Sequence, residues 1–192
     1  MSSVPERVTI YIQQGVDANQ RGDIDAARGH FQEALSLEPD NAEVLLQLGI
    51  IEVSSSDIDQ AVQHLQRARD LAPSDPRVHY ALGVAYGRCD DLQSAATAYE
   101  DALRLKPDYA KASLFLGNLH RQQNRRDRAI DIYSRALGFD PTQPAIFNNL
   151  ASLYVELGRW RDLYSLAQAA LRNKPDFSAA TLTRRVDTSR RR

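Results

Sequence analysis

Residues 76–109 read PRVHYALGVAYGRCDDLQSAATAYEDALRLKPDY, a stretch of 34 residues that ends just beyond a proline and then begins again. Two apolar-periodic stretches of about 12–16 residues fill it, the length and spacing of helices. Pro107 closes the second stretch, because its ring clashes with the preceding turn and it has no N–H to donate. Pro39, Pro73, Pro141 and Pro175 stand 34 residues apart in the same series. Working outward in that period gives five units, 8–41, 42–75, 76–109, 110–143 and 144–177, with a lead-in at 1–7 and a remainder at 178–192.

Other residues fall into the same register. Gly15, Gly49, Gly83, Gly117 and Ala151 mark the middle of each first helix, and Leu48, Leu82, Leu116 and Leu150 precede four of them. Ala27, Ala61, Ala95 and Ala129 form a second small series, and Ala34, Ala68, Ala102, Ala136 and Ala170 a third. Small residues at a crossing let two helices approach closely. Phe31, Tyr99 and Tyr133 share a slot in the second helix and are expected to fill the gap between neighbouring units. Acceptors stand where helices should begin: Asp40 with Glu43, Asp75 before Pro76, and Asp108 for first helices, and Asp23, Asp57 with Gln60, and Asp91 for second helices. Period, caps and stops agree, which is what a sequence specifying one fold requires.

The series Leu82-Gly83, Tyr86, Ala95, Tyr99, Ala102, Pro107 resembles the tetratricopeptide repeat, and the resemblance runs from Val8 to Phe177. It implies an all-α fold, a right-handed α-α superhelix of ten repeat helices. Beyond Phe177, residues 178–186 carry Ala179, Leu182 and Val186 on one side and no Leu-Gly pair, and are expected to form a short capping helix. The fifth unit departs from the pattern, with Leu163 in the alanine slot and Ala167 in the aromatic one. That exchange roughly conserves volume.

Residue chemistry argues against an enzyme. His30, His64, His79 and His120 lie in different units, none in a zinc-ligand spacing, and no glycine-rich phosphate loop is present. Neither a catalytic residue, a metal ligand nor a cofactor site is expected. Cys89 beside Arg88 reads as a small residue at a packed turn, and one cysteine suits a reducing compartment. With no apolar run long enough for a membrane span and no leader, the expected location is cytoplasmic. The formal net charge of −1 hides an arginine-rich end, +4 over residues 178–192 against −5 over residues 1–177. That end allows three readings: a solubilising terminus, a contact with nucleic acid or an anionic surface, or a tail folded back onto the acidic body; nucleic acid is disfavoured, because no aromatic residues are interleaved for stacking.

Function is therefore expected on a surface. The resemblance implies a concave groove lined by the first helix of each unit. Its lining would include Ile12, Leu46 and Ile50 towards the N-terminal end, then Arg77, Tyr80, Arg88, Lys111, Asn118, Arg121, Asn148 and Asn149. Cations in a concave surface attract acidic partners, and asparagine offers both donor and acceptor to an extended backbone. Asn118 and Asn149 resemble the two asparagines of the subclass that grips a C-terminal carboxylate, but Leu114 stands where that subclass has a lysine. The expected role is an adaptor or scaffold holding a protein segment, acidic or carboxylate-bearing, in the groove. The alternative is a structural subunit of a homo-oligomer or larger complex.

Overall fold

The computed structural model describes residues 3–55 and 57–178. The expected capping helix and the arginine-rich end, apart from Ser178, lie outside the described residues. Among those described, the chain is all-helical and contains no strand: α1 (Val4–Gln20), α2 (Ile24–Leu37), α3 (Ala42–Ser54), α4 (Ile58–Leu71), α5 (Pro76–Arg88), α6 (Leu92–Leu105), α7 (Ala110–Gln122), α8 (Arg126–Phe139), α9 (Pro144–Glu156) and α10 (Trp160–Asn173). Ten helices make five hairpins. They fall into two compact units, Met1–Leu105 with α1 to α6 and Lys106–Arg192 with α7 to α10.

Two backbone devices recur through the chain. At the end of each second helix the proline occupies the second position of a four-residue turn. The turns are closed by Asn41 N–H to the Glu38 carbonyl, Asp75 to Ala72, Tyr109 to Lys106, Gln143 to Asp140 and Phe177 to Lys174, at 3.0–3.4 Å. The residue closing the turn is thus the one that starts the next helix. Asn41, not Asp40, caps α3, accepting from the Val44 N–H at 3.1 Å, and Tyr109, not Asp108, precedes α7. Asp40 and Asp108 fall one position earlier, inside the turn. Asp75 does close its turn, and its carboxylate accepts from the Arg77 N–H at 2.8 Å.

The second device joins the two helices of a hairpin. Asp23, Asp57, Asp91, Arg125 and Arg159 each donate an N–H back to a carbonyl five residues earlier, on Ala18, Glu52, Tyr86, His120 and Tyr154, at 2.8–3.0 Å. Before four of these donors stands a left-handed residue, the conformation that favours such a bond. Gly22, Asp90, Asn124 and Gly158 supply it, with φ of 79°, 61°, 59° and 67°. Only glycine, and at small cost Asn or Asp, takes that conformation readily. The second helices then begin unequally. Asp23 and Asp91 accept from the Ala26 and Ser94 N–H groups at 3.1 Å, whereas Arg125 and Arg159 give α8 and α10 no side-chain cap. Asp57 makes no cap bond either and instead pairs with Arg28 at 3.0 Å.

Packing follows the register. A Cβ added at Gly15, Gly49 or Gly83 would lie 2.7, 2.5 or 2.5 Å from Phe31, Leu65 or Tyr99, and one at Gly117 would collide with Tyr133. The large residue of each second helix therefore lies on the glycine of its own hairpin. Phe31 also belongs to a core shared with the next hairpin of unit 1, through Val44, Leu48 and Ile51, and Tyr133 to one shared with the next hairpin of unit 2, through Ile146, Phe147 and Leu150. Burying each such side chain contributes about 1.5–3 kcal/mol. In α10 the exchanged pair Leu163 and Ala167 are both buried, and Ala151 replaces the glycine opposite, since alanine at 167 leaves room for a methyl group.

Candidate peptide-binding surface

In unit 1 the surface in question is formed by α1, α3 and α5. The helix α3 is apolar around most of its circumference, with Val44, Leu45, Leu46, Leu48, Ile51 and Val53 all buried. Leu46 is therefore a core residue, 1% exposed and packed with Leu45, Leu65 and Val78, and does not line a groove. Ile50, 39% exposed, does face outward, and Ile12 is half-buried against the core of α1 to α3.

Arg77 is held by two carboxylates of the same unit. Its Nη2 donates to Glu43 Oε2 and to Asp75 Oδ2, each at 2.7 Å. The hydrogen bonds to Asp75 and then Glu43 push the guanidinium pKa up further. Partial burial pulls the Asp75 carboxyl upward, but hydrogen bonds and charge from Arg77 bring it below the usual range. Glu43 and Arg77 occupy the same position in consecutive hairpins, 34 residues apart, so the pair ties α3 to α5. Tyr80 is half-buried, its ring 6.0 Å from that of Tyr99, and Arg88 is exposed at the end of α5.

In unit 2, Lys111, Asn118 and Arg121 follow one another along a single face of α7. Asn118 is the centre of a polar cluster. Its Oδ1 accepts from the Tyr133 hydroxyl at 2.6 Å and from Asn149 Nδ2 at 2.7 Å. Tyr133 is fully buried, and its hydroxyl pKa is pushed up to about 12 by that burial, so it remains a neutral donor. With its oxygen engaged, Asn118 keeps an NH2 group that makes no hydrogen bond among the described residues. Arg121 donates to Ser152 Oγ at 3.3 Å and pairs with Glu156 on α9. Lys111 and Asn148 are exposed, and neither has an ion pair or side-chain hydrogen bond among the described residues.

Of the expected groove residues, Ile12, Ile50, Arg77, Tyr80 and Arg88 lie in unit 1, and Lys111, Asn118, Arg121, Asn148 and Asn149 lie in unit 2. Sequence reasoning missed the carboxylates that hold two of the cations, although the spacing of 34 between Glu43 and Arg77 was a usable signal. It also missed the part of Tyr133, read there as packing alone. Among the described residues no three His, Cys, Asp or Glu side chains converge as metal ligands. No described helix is long and apolar enough to cross a membrane.

The family model of the cilia and flagella-associated protein 70 C-terminal domain matches residues 7–189. No curated protein sequence matches the chain. Among solved structures, the MamA protein is 26% identical with a TM-score of 0.73, over 89% of this chain and 93% of that one. A thermophilic TPR protein in Thermus thermophilus is 24% identical with a TM-score of 0.67, over 91% and 99%. YrrB, described as a TPR protein with an unusual peptide-binding site, is 17% identical with a TM-score of 0.64, over 91% and 90%. The tetratricopeptide fold is in general a protein-interaction scaffold. Repeat period, helical hairpins and a family match across nearly the whole sequence agree: the chain belongs to the family of the cilia and flagella-associated protein 70 C-terminal domain and is a tetratricopeptide-repeat protein.

Proposed function

We propose that the chain is a non-catalytic adaptor that holds an extended segment of another protein against the surface formed by its first helices. The observation that carries this reading is the cluster of Asn118, Asn149 and the buried Tyr133 hydroxyl. A buried donor and a neighbouring amide fix the asparagine oxygen, and the NH2 group that remains is a preorganised donor for a carbonyl or carboxylate. Lys111 lies two turns away on the same helix face, with no ion pair among the described residues. An acidic or carboxylate-bearing segment suits that combination, with Asn148 as a further amide. In unit 1, Ile50 offers an apolar contact, while Arg77 already has its charge offset by Glu43 and Asp75. The carboxylate contact is therefore assigned to unit 2. A cytoplasmic setting is part of the same proposal.

Selection of displayed peptides on the intact chain tests it. The expected outcome is a family of extended sequences bearing Asp, Glu or a free C-terminus, bound less well by Asn118→Ala and Lys111→Ala. Loss of an exposed lysine contact costs about 0.2–1 kcal/mol. Loss of a charge-assisted hydrogen bond costs about 1.5–3 kcal/mol. Selected peptides that bind both variants as tightly as the parent would exclude this surface.

A further inference from the structure

The turns joining each first helix to its second carry opposite signs of charge in the two units. At the residue that starts the second helix stand Asp23, Asp57 and Asp91, then Arg125 and Arg159. Close to it lie Asp25, Asp59 and Asp90 with Arg21 and Arg88 in unit 1, and Arg126, Arg128 and Arg161 with Asp127 and Asp162 in unit 2, so the turns are acidic on balance in unit 1 and basic on balance in unit 2. Residues 3–105 carry 17 acidic and 8 basic side chains, whereas residues 106–178 carry 7 acidic and 11 basic ones. Arg125, Arg126, Arg128 and Arg161 are exposed and make no ion pair among the described residues. Arg159 is held differently, at 2.6 Å from Asp162 and over the Tyr154 ring.

An arginine in this position works against the helix it begins. It has no acceptor for the exposed N–H groups, and its charge opposes the positive end of the helix dipole. The cap bond that Asp23 and Asp91 make is absent from α8 and α10. Two consecutive hairpins breaking the same local rule mark a surface kept for a purpose other than stability. The two basic turns belong to hairpins with a common core, in which Ala129 near the start of α8 and Leu163 near the start of α10 are both buried. In unit 1, Arg28 of α2 reaches Asp57 in the next turn, so the acidic turns are neighbours as well.

We propose that the basic turn edge of unit 2 docks the acidic turn edge of unit 1 of a second copy of this chain. Charge complementarity is one half of the argument. The common construction is the other: Asp23, Asp57, Asp91, Arg125 and Arg159 recur every 34 residues in the sequence, each at a turn closed by the same hydrogen bond to a carbonyl five residues earlier. A foreign acidic segment has no need of that period. Every copy carries both edges, so the contact either closes as a two-fold dimer or repeats head to tail.

Sedimentation velocity of the full chain tests this at about 0.01 M and about 1 M salt, between which the Debye length falls from about 30 Å to about 3 Å. Concentration-dependent association is expected at low salt and its loss at high salt. Two charge-reversed variants, Arg126→Glu/Arg128→Glu/Arg161→Glu and Asp25→Lys/Asp59→Lys, should each associate at least about tenfold more weakly, because like charges then meet. Mixed in equal amounts they should associate again, each keeping its helical spectrum. A chain that is monomeric at low salt, association that survives either reversal, or a mixture that fails to recover would overturn the proposal. So would a monomeric chain that binds an octaglutamate peptide through these arginines, since the occupant would then be an acidic partner. None of the substituted residues belongs to the peptide surface, so failure here would be distinct from failure of the adaptor reading.

Discussion

Gly83 and Tyr99 act as one packing unit, and the fifth hairpin is its natural control. A Cβ on Gly83 would lie 2.5 Å from the Tyr99 ring, whereas Ala151 and Ala167 hold the corresponding positions in the fifth hairpin and belong to one core. Gly83→Ala should therefore cost about 1–3 kcal/mol by overpacking, and Tyr99→Ala about 3–5 kcal/mol by leaving a cavity. The double variant should cost less than the two added together, because the shortened side chain makes room for the methyl group. Urea denaturation of the four proteins measures the coupling, and strict additivity would refute the pairing. Tyr133 gives a second handle at this scale. Its folded pKa of about 12 lies above the ordinary phenolic value of about 10, so above about pH 10 the unfolded chain releases a proton that the folded chain keeps. Stability from this group is complete below about pH 10 and is lost as the pH rises towards about 12. The denaturation midpoint should fall across that window, and Tyr133→Phe should flatten the fall. The glycine series was legible because a residue with no side chain, recurring at helix centres on a fixed period, marks a close crossing. The hydroxyl was not legible, because Phe31 and Leu65 fill the same slot and the slot reads as apolar.

Each helix here is set by its ends. α8 begins on Arg125, which makes no cap bond and no ion pair among the described residues, whereas α2 begins on Asp23 with a bond to Ala26. Arg125→Asp should restore that bond and raise stability by about 0.5–2 kcal/mol, read as a higher melting temperature. Unchanged or lower melting would mean that Arg125 has a stabilising role of its own. Arg159 is not equivalent, since its ion pair with Asp162 and its place over Tyr154 would be lost on substitution. Element ends also mark where reading the sequence fell short. Asp40 and Asp108 have the right chemistry for a cap, but they are the third residue of the four-residue turn around the proline, so the helix starts one residue later. Leu46 was misplaced for a related reason. A family position names a helix face, but α3 is covered on nearly all sides, and that depends on its neighbours rather than on its own period.

At the scale of the molecule, the 34-residue period made the ten helices legible, because a repeat confirms each element several times over. Its surfaces were less so. Arg77 and Arg121 looked like free groove cations until Glu43 and Glu156 were found beside them, a pairing between hairpins that no single repeat displays. Lys111 and the Asn118 cluster remain as the polar grip proposed for unit 2, and the adaptor reading rests on them. The most direct measurement is an amide NMR titration of the full chain with a selected acidic peptide, recorded for the backbone and the asparagine side chains. Shifts concentrated on α7 and α9, with the Asn118 and Asn149 side-chain amides among the largest, are the predicted result. Shifts confined to α8 and α10, or to the turns between helices, would contradict it.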